Sequence, residues 1–100
     1  MTDKYCETPI APLVHMNGTS AKDLLEQFVD ACHALREAIA AVNETAPNQR
    51  DFYTLPETAW AQARAEHEAR LHRLHSVLAE LDGIAENVAD QQAERENRKH

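Results

Sequence analysis

Glycines, cysteines and aromatic residues are scarce in this sequence of 100 residues, which has two glycines, two cysteines and 5% aromatic side chains. So few glycines leave little of the turn chemistry that β-hairpins need. The content of alanine, leucine, glutamate, glutamine and arginine is instead typical of long helices. A chain of this length forms about one small domain. The sequence therefore predicts an all-α protein with a single domain.

Recognisable catalytic and metal-binding motifs are also missing. Cys6 and Cys32 form neither a disulfide framework nor a CxxC motif, and the sequence has no nucleophile motif, phosphate-binding glycine loop or HExxH motif. We therefore expect a protein that is not an enzyme and has no cofactor. Glu68, His72 and His75 can share one helix face as metal ligands, but surface histidines on a solvated face explain them more simply. No metal site is predicted.

Long apolar runs and an excess of positive charge are absent as well. No stretch approaches the ~18 apolar residues of a membrane span, and the first residues, with Asp3 and Glu7, lack the apolar segment of a signal peptide. The net charge of −7 opposes attraction to nucleic acid polymers and to anionic membranes. We expect a cytosolic protein with neither of these as a partner.

The first half of the chain carries an unbroken helical pattern. An irregular leader over residues 1–19 contains two prolines and ends at a helix N-cap, for which Thr19 and Ser20 are both suited. A helix is predicted over residues 20–46 because apolar residues then recur at alternating steps of three and four. This seam consists of Leu25, Phe28, Cys32, Leu35, Ile39, Val42 and Ala46.

The same pattern returns after an interruption. Pro47 cannot continue the first helix, and residues 47–55 are predicted to form a connection. A second helix is predicted over residues 56–90, since Pro56 suits the first helical position, and a polar tail over residues 91–100 follows. The second seam consists of Trp60, Arg64, His67, Leu71, Leu74, Leu78, Leu81, Ala85 and Val88.

These two helices are predicted to pack as a long antiparallel hairpin, because a short connection favours antiparallel neighbours. In the predicted register the facing pairs are Val42 with Trp60, Leu35 with His67, and Leu25 with Leu78. The last turns of the second helix then extend past the first, and either the leader or another subunit covers their apolar residues Leu81, Ile84 and Val88. A lone two-helix hairpin buries little apolar surface, so we expect a homo-oligomeric helical bundle.

The connection combines groups that suit a nucleotide. Arg50 can bind a phosphate through two hydrogen bonds, the rings of Phe52 and Tyr53 can stack on a base, and Asn48 can bond to a ring edge. An ordinary loop whose aromatic rings close the end of the bundle explains the segment equally well.

Two further places carry polar residues of interest. In the leader, His15, Asn17 and Thr19 precede a helix N-terminus, which attracts anions, although N-capping alone explains Thr19. In the second seam, Arg64 and His67 stand where leucine is expected. Either Glu37 or Asp51 satisfies these two side chains, or they fix the register, or they face a ligand.

Three blocks of the sequence resemble a pattern that recurs in small phage and prophage proteins, most of them of unassigned role. The blocks are PLVHMNGTS at residues 12–20, PNQRDFY at 47–53 and EHEARL at 66–71. The chain has Phe52-Tyr53 where the pattern has two tyrosines, which keeps both rings and removes one hydroxyl.

Small phage proteins of this helical, oligomeric type include counter-defence sponges, which sequester a nucleotide immune signal between subunits. The resemblance implies such a role in the host cytosol, with a pocket built from His15, Asn17, Thr19, Arg50, Phe52 and Tyr53 and extended to Arg64 and His67. The leader and the connection lie at opposite ends of one hairpin, about 40 Å apart. One subunit cannot easily bring them together, whereas an antiparallel packing of two hairpins can. The alternative is a helical inhibitor or adaptor of a host protein, or a minor phage assembly component.

Overall fold

The computed structural model describes residues 8–98, and two long helices dominate it. Helix α1 spans Ala21–Asn43, helix α2 spans Glu57–Arg98, and a short 3-10 turn spans Gln49–Asp51 in the connection between them. The two helices pack against each other as a hairpin, and no strand occurs in this part of the chain. The predicted all-α hairpin is therefore confirmed. Within the same residues, no helix combines the length and the apolar character needed to cross a membrane.

Helix α1 begins at the predicted place. Its N-cap is Ser20 and not Thr19, because the Ser20 hydroxyl accepts a hydrogen bond of 3.1 Å from the backbone N–H of Asp23. The Asp23 carboxylate stands in the first turn, where its negative charge interacts favourably with the positive end of the helix dipole. The predictions for residues 1–7, including Cys6, and for residues 99–100 lie outside the described residues.

Helix α1 ends at Asn43, before the predicted end at residue 46. The Thr45 hydroxyl donates to the carbonyl of Val42 at 2.6 Å, and the backbone N–H of Thr45 bonds to the same carbonyl. Proline disfavours helical backbone in the residue before it, so Pro47 also acts on Ala46. Capping and the proline together shorten the helix.

Helix α2 extends beyond the predicted boundary at Asp90 and continues to Arg98. The segment after Asp90 was predicted to be a polar tail because it lacks an apolar seam. Its glutamines, glutamates, arginines and alanine are nevertheless strong helix formers, and helix propensity does not require apolar residues. The tail prediction is therefore wrong for residues 91–98.

The predicted register of the hairpin is also wrong. The guanidinium of Arg36 bonds to both carboxylate oxygens of Asp82, at 3.0 and 3.1 Å. Leu35, next to Arg36, therefore lies level with Asp82, fifteen residues beyond the predicted neighbour His67. Ile39 lines a common groove with His75, which shows a shift in the same direction. Helix α1 thus packs on the second half of α2.

This register reverses the predicted overhang. The first turns of α2 extend past α1, and the connection, residues 44–56, folds back over them, with Phe52 half-buried beside Trp60. The predicted overhang at the other end does not exist, since Val88 is fully buried within the hairpin. A connection that runs along α2, instead of reversing at once, accounts for the shifted register.

The leader is held against the last turns of α2 by Gln91. The side-chain oxygen of Gln91 accepts from the backbone N–H of Val14 at 2.8 Å, and its amide nitrogen donates to the carbonyl of Pro12 at 2.9 Å. Arg95 donates to the carbonyl of Val14 at 3.1 Å. The leader therefore docks on its own hairpin, one of the two arrangements considered above.

The hairpin is thin and buries very few side chains. Among the described residues, only Cys32, His67 and Val88 are buried. The radius of gyration is 19.5 Å, against about 13 Å for a compact domain of 100 residues. The molecule measures 68 × 32 × 20 Å, so its smallest dimension holds a single layer of helices.

Gly83 is a weak point in the middle of α2, and Gly83→Ala is expected to stabilise the protein by about 1 kcal/mol. A Cβ atom at this position meets nothing within 4 Å, so the gain in helix propensity carries no steric cost. Thermal unfolding followed by circular dichroism measures the effect. The matched control is Ala79→Gly, one turn earlier and also exposed, which should destabilise by a similar amount. An unchanged melting temperature in both variants would contradict a regular helix here.

Candidate functional site

The predicted binding residues of the connection lie at one end of the hairpin. Asn48 caps the 3-10 turn, because its side-chain oxygen accepts from the backbone N–H of Arg50 at 3.0 Å. This structural role explains Asn48 without a ligand. The Arg50 side chain is exposed, and within residues 8–98 its guanidinium takes part in no hydrogen bond or ion pair. It is available to an anion.

The aromatic residues of the connection line a shallow cleft of about 220 Å³ together with Leu55 and Trp60. Phe52 is half-buried in this cleft, whereas Tyr53 is 81% exposed. Phe52 therefore closes the end of the hairpin, as the simpler interpretation predicted. Tyr53 presents an exposed ring three residues after the exposed Arg50, and these two side chains retain the chemistry of a base and a phosphate site.

Arg64 is not buried in the seam. It is exposed, and its guanidinium carbon lies 4.9 Å from the centre of the Trp60 ring, which is the geometry of a cation–π contact. The Trp60 indole N–H, in contrast, is buried without a hydrogen-bond partner. The contact with Trp60 explains Arg64, so no carboxylate partner is needed.

His67 is buried, with 6% of its surface exposed, and its Nε2 atom has no hydrogen-bond partner. Neither predicted partner bonds to it. Glu37 forms an exposed pair with His33 at 3.2 Å, and Asp51 belongs to the 3-10 turn. An unpaired buried polar group destabilises a fold by about 1 to 3 kcal/mol. In the single chain, His67 is closed to a ligand.

The leader forms a second cleft at the opposite end of the hairpin, with a volume of about 340 Å³. His15 lines it and lies over Gly18, where a Cβ atom would stand 2.8 Å from the imidazole Nε2. The small residue at position 18 therefore permits this position of the ring. Asn17 and Thr19 are exposed and do not line the cleft.

Two cationic residues of this cleft were not predicted. Lys22, from the first turn of α1, and Arg95, from the last turns of α2, line it together with His15. Lys22 stands in the sequence two residues after the N-cap Ser20. Arg95 was missed because residues 91–100 were predicted to be a tail. The cleft thus combines cationic groups with a helix N-terminus, although Glu96 also lines it.

The structure does not bring the two clefts together. The leader cleft lies at the start of α1 and the connection cleft beyond its end, and 23 helical residues span about 34 Å. One chain therefore carries two half-sites. Within residues 8–98, no group of three or more histidine, cysteine, aspartate or glutamate residues is arranged to hold a metal ion.

A buried thiol occupies the middle of the hairpin. Burial raises the pKa of the Cys32 thiol, and the neighbouring carboxylate of Asp82 raises it further, whereas Arg36 acts in the opposite direction. Cys32 is 2% exposed. The thiol is therefore protonated at neutral pH and poorly accessible, which is the opposite of a reactive cysteine.

Cys32 is accordingly expected to resist modification in the folded protein. In a Cys6→Ser background, a disulfide reagent should leave Cys32 largely unmodified at neutral pH, while the urea-unfolded chain reacts completely. Asp82→Asn removes a negative charge that raises the pKa of the thiol, so its pKa should fall and its reaction should accelerate. A slower reaction in Asp82→Asn would contradict this account.

Comparisons of the chain with protein-family models, with curated proteins and with solved structures give no match.

Proposed function

We propose that this protein is a non-catalytic binding protein that assembles with copies of itself and sequesters a nucleotide-type signal between subunits. It would act in the cytosol of an infected cell, as the resemblance to phage proteins implies. The observation that carries the proposal is the presence of two polar half-sites at opposite ends of a hairpin that has almost no core of its own.

The large solvent-accessible surface of the single chain supports assembly into an oligomer. Its accessible surface is 8042 Å², whereas a compact monomer of 11.3 kDa exposes about 5,700 Å². Exposed apolar side chains contribute to this excess, among them Leu13 at 78%, Val77 at 44% and Leu55 at 50%. Burying such surface against another subunit stabilises the fold by about 25 cal/mol per Å².

Antiparallel pairing joins the half-sites. When two hairpins lie side by side in opposite directions, the leader cleft of one meets the connection cleft of the other, and this happens twice per pair. Each composite pocket then holds His15, Lys22 and Arg95 from one subunit and Arg50 and Tyr53 from its neighbour, with Phe52 behind them. Asn17 and Thr19 border it.

The chemistry of this pocket favours a small anionic ligand with an aromatic base. Arginine binds phosphate oxygens through two parallel hydrogen bonds, and an exposed tyrosine ring stacks on a base. The net charge of −7 disfavours a long nucleic acid, but a small ligand responds mainly to the charges within about 10 Å of it. A nucleotide fits these groups better than a polymer does.

The test is the thermal stabilisation of the protein by a panel of cyclic and linear nucleotides. A ligand present at about one hundred times its dissociation constant should stabilise the protein by about 2.7 kcal/mol. Arg50→Ala should remain folded and lose this stabilisation. The control is His72→Ala, which is exposed in the middle of α2, points away from the exposed Val77 and lines neither cleft, and it should keep the shift. If no nucleotide shifts the melting temperature, the proposed ligand class is wrong.

The second candidate, an adaptor or inhibitor of a host protein, is favoured by the leader. Ile10 and Met16 are 95% and 91% exposed, and such side chains suit a protein partner. Under this alternative, nucleotides have no effect, and leader substitutions such as Met16→Glu leave the melting temperature unchanged but abolish binding of the host protein.

A further inference from the structure

A stripe of side chains along α2 is covered by another part of the protein at one end only. Val77, Ile84 and Gln91 recur every seven residues, so they point to the same side of the helix. The leader binds Gln91 through two hydrogen bonds and thereby covers the end of the stripe. Ile84 is half-buried and Val77 is 44% exposed. The apolar part of the stripe thus continues beyond the leader without a covering element.

Helix α1 contributes alanines to the same side of the hairpin. The ion pair between Arg36 and Asp82 marks one edge of the contact between the helices. Residues two positions apart on a helix point about 200° apart. Ala34 and Ala38 are each two positions from Arg36 and therefore point away from it. Ile84 points away from Asp82 for the same reason. The alanines and the α2 stripe therefore flank the opposite edge. Ala34 and Ala38 are exposed in the single chain.

The surface of the whole chain leaves room for an interface of ordinary size. The single chain exposes about 2,300 Å² more than a compact monomer of its mass. A stable interface needs about 800 Å² from each partner. The hairpin is also only 20 Å thick, one helical layer, whereas a stable domain packs at least two layers. A second copy of the same hairpin supplies the missing layer.

We propose that two copies pair through this docking face, formed by Ala34, Ala38, Val77 and Ile84, with their hairpins antiparallel. Alanines let two helices approach to about 8 Å, and a two-fold interface uses the same residues on both copies. Val77 lies at the middle of α2, and the groove shared by Ile39 and His75 places Ala38 near the same level. The two-fold axis therefore passes close to Val77 and Ala38. This inference rests on the assembly part of the proposed function.

The first test is a matched pair of charge substitutions in the full chain. Ala38→Glu places two carboxylates next to the axis and should convert the assembly to a monomer of 11.3 kDa in light scattering, with its helical circular dichroism retained. Ala79→Glu is also exposed, but it points about 200° away from Val77 and should leave the assembly intact.

The second test does not depend on disrupting the protein. In a Cys6→Ser background, Val77→Cys should form a covalent dimer with a short bis-maleimide crosslinker, and the background protein should not, because Cys32 is buried. If the assembly survives Ala38→Glu, or if Val77→Cys gives no crosslinked dimer, the proposed docking face is wrong. Neither result bears on nucleotide binding, which has its own test. A wild-type monomer overturns both the docking face and the shared pocket.

Discussion

Val88→Asp is expected to unfold the hairpin. Val88 is the only side chain among the described residues with no exposed surface. A carboxylate buried there without a partner costs several kcal/mol, which is comparable to the whole stability of a small domain, about 5 to 15 kcal/mol. Circular dichroism should show most of the helical signal lost at 25 °C, whereas the wild-type signal persists.

The control for this substitution is Val29→Asp on α1. Val29 is 52% exposed and stands on the edge of the hairpin that carries Arg36, so the same change should cost about 0.5 kcal/mol or less. If Val88→Asp melted at the same temperature as Val29→Asp, the burial of Val88 and the register that produces it would be wrong.

His67→Leu is expected to stabilise the protein by up to about 3 kcal/mol. The imidazole Nε2 is buried without a partner, and a leucine side chain removes that penalty while adding apolar contacts. The melting temperature measures the gain. Because His67 is closed to solvent, the variant should keep the stabilisation by nucleotides.

Two results would contradict this account of His67. A loss of stability would mean that Nε2 has a hydrogen-bond partner in the assembled protein. A gain in stability with a loss of nucleotide binding would mean that His67 faces the ligand, as one of the sequence-based alternatives held. The control His72→Leu, on the exposed side of α2, should change stability by about 0.5 kcal/mol or less.

Much of the fold could be predicted from the sequence, because local signals specify it. The start of α1 follows from an N-cap serine and a first-turn aspartate, and the two apolar seams predict two packed helices. The register could not be predicted in the same way. A seam that repeats every seven residues pairs equally well in several registers, and the choice depends on where the connection packs. The packing of Phe52 on the first turns of α2 decides the register. Neither segment has a sequence feature that indicates which register forms.

The candidate site was predictable to a smaller extent. Arg50 and Tyr53 are exposed, as their residue types suggested. Asn48 caps the 3-10 turn, a role that is common for an asparagine at this position and needs no ligand. Arg95 was missed because a polar helix without an apolar seam looks like a tail. Residues on such segments gain a role only when another part of the chain docks on them.

We propose that a single copy of this chain is incomplete, both in its core and in its binding site. Light scattering and thermal unfolding over a hundredfold range of protein concentration test it most directly. We expect a mass that is an even multiple of 11.3 kDa and a melting temperature that rises with protein concentration. A mass of 11.3 kDa at every concentration, with a constant melting temperature, would contradict it.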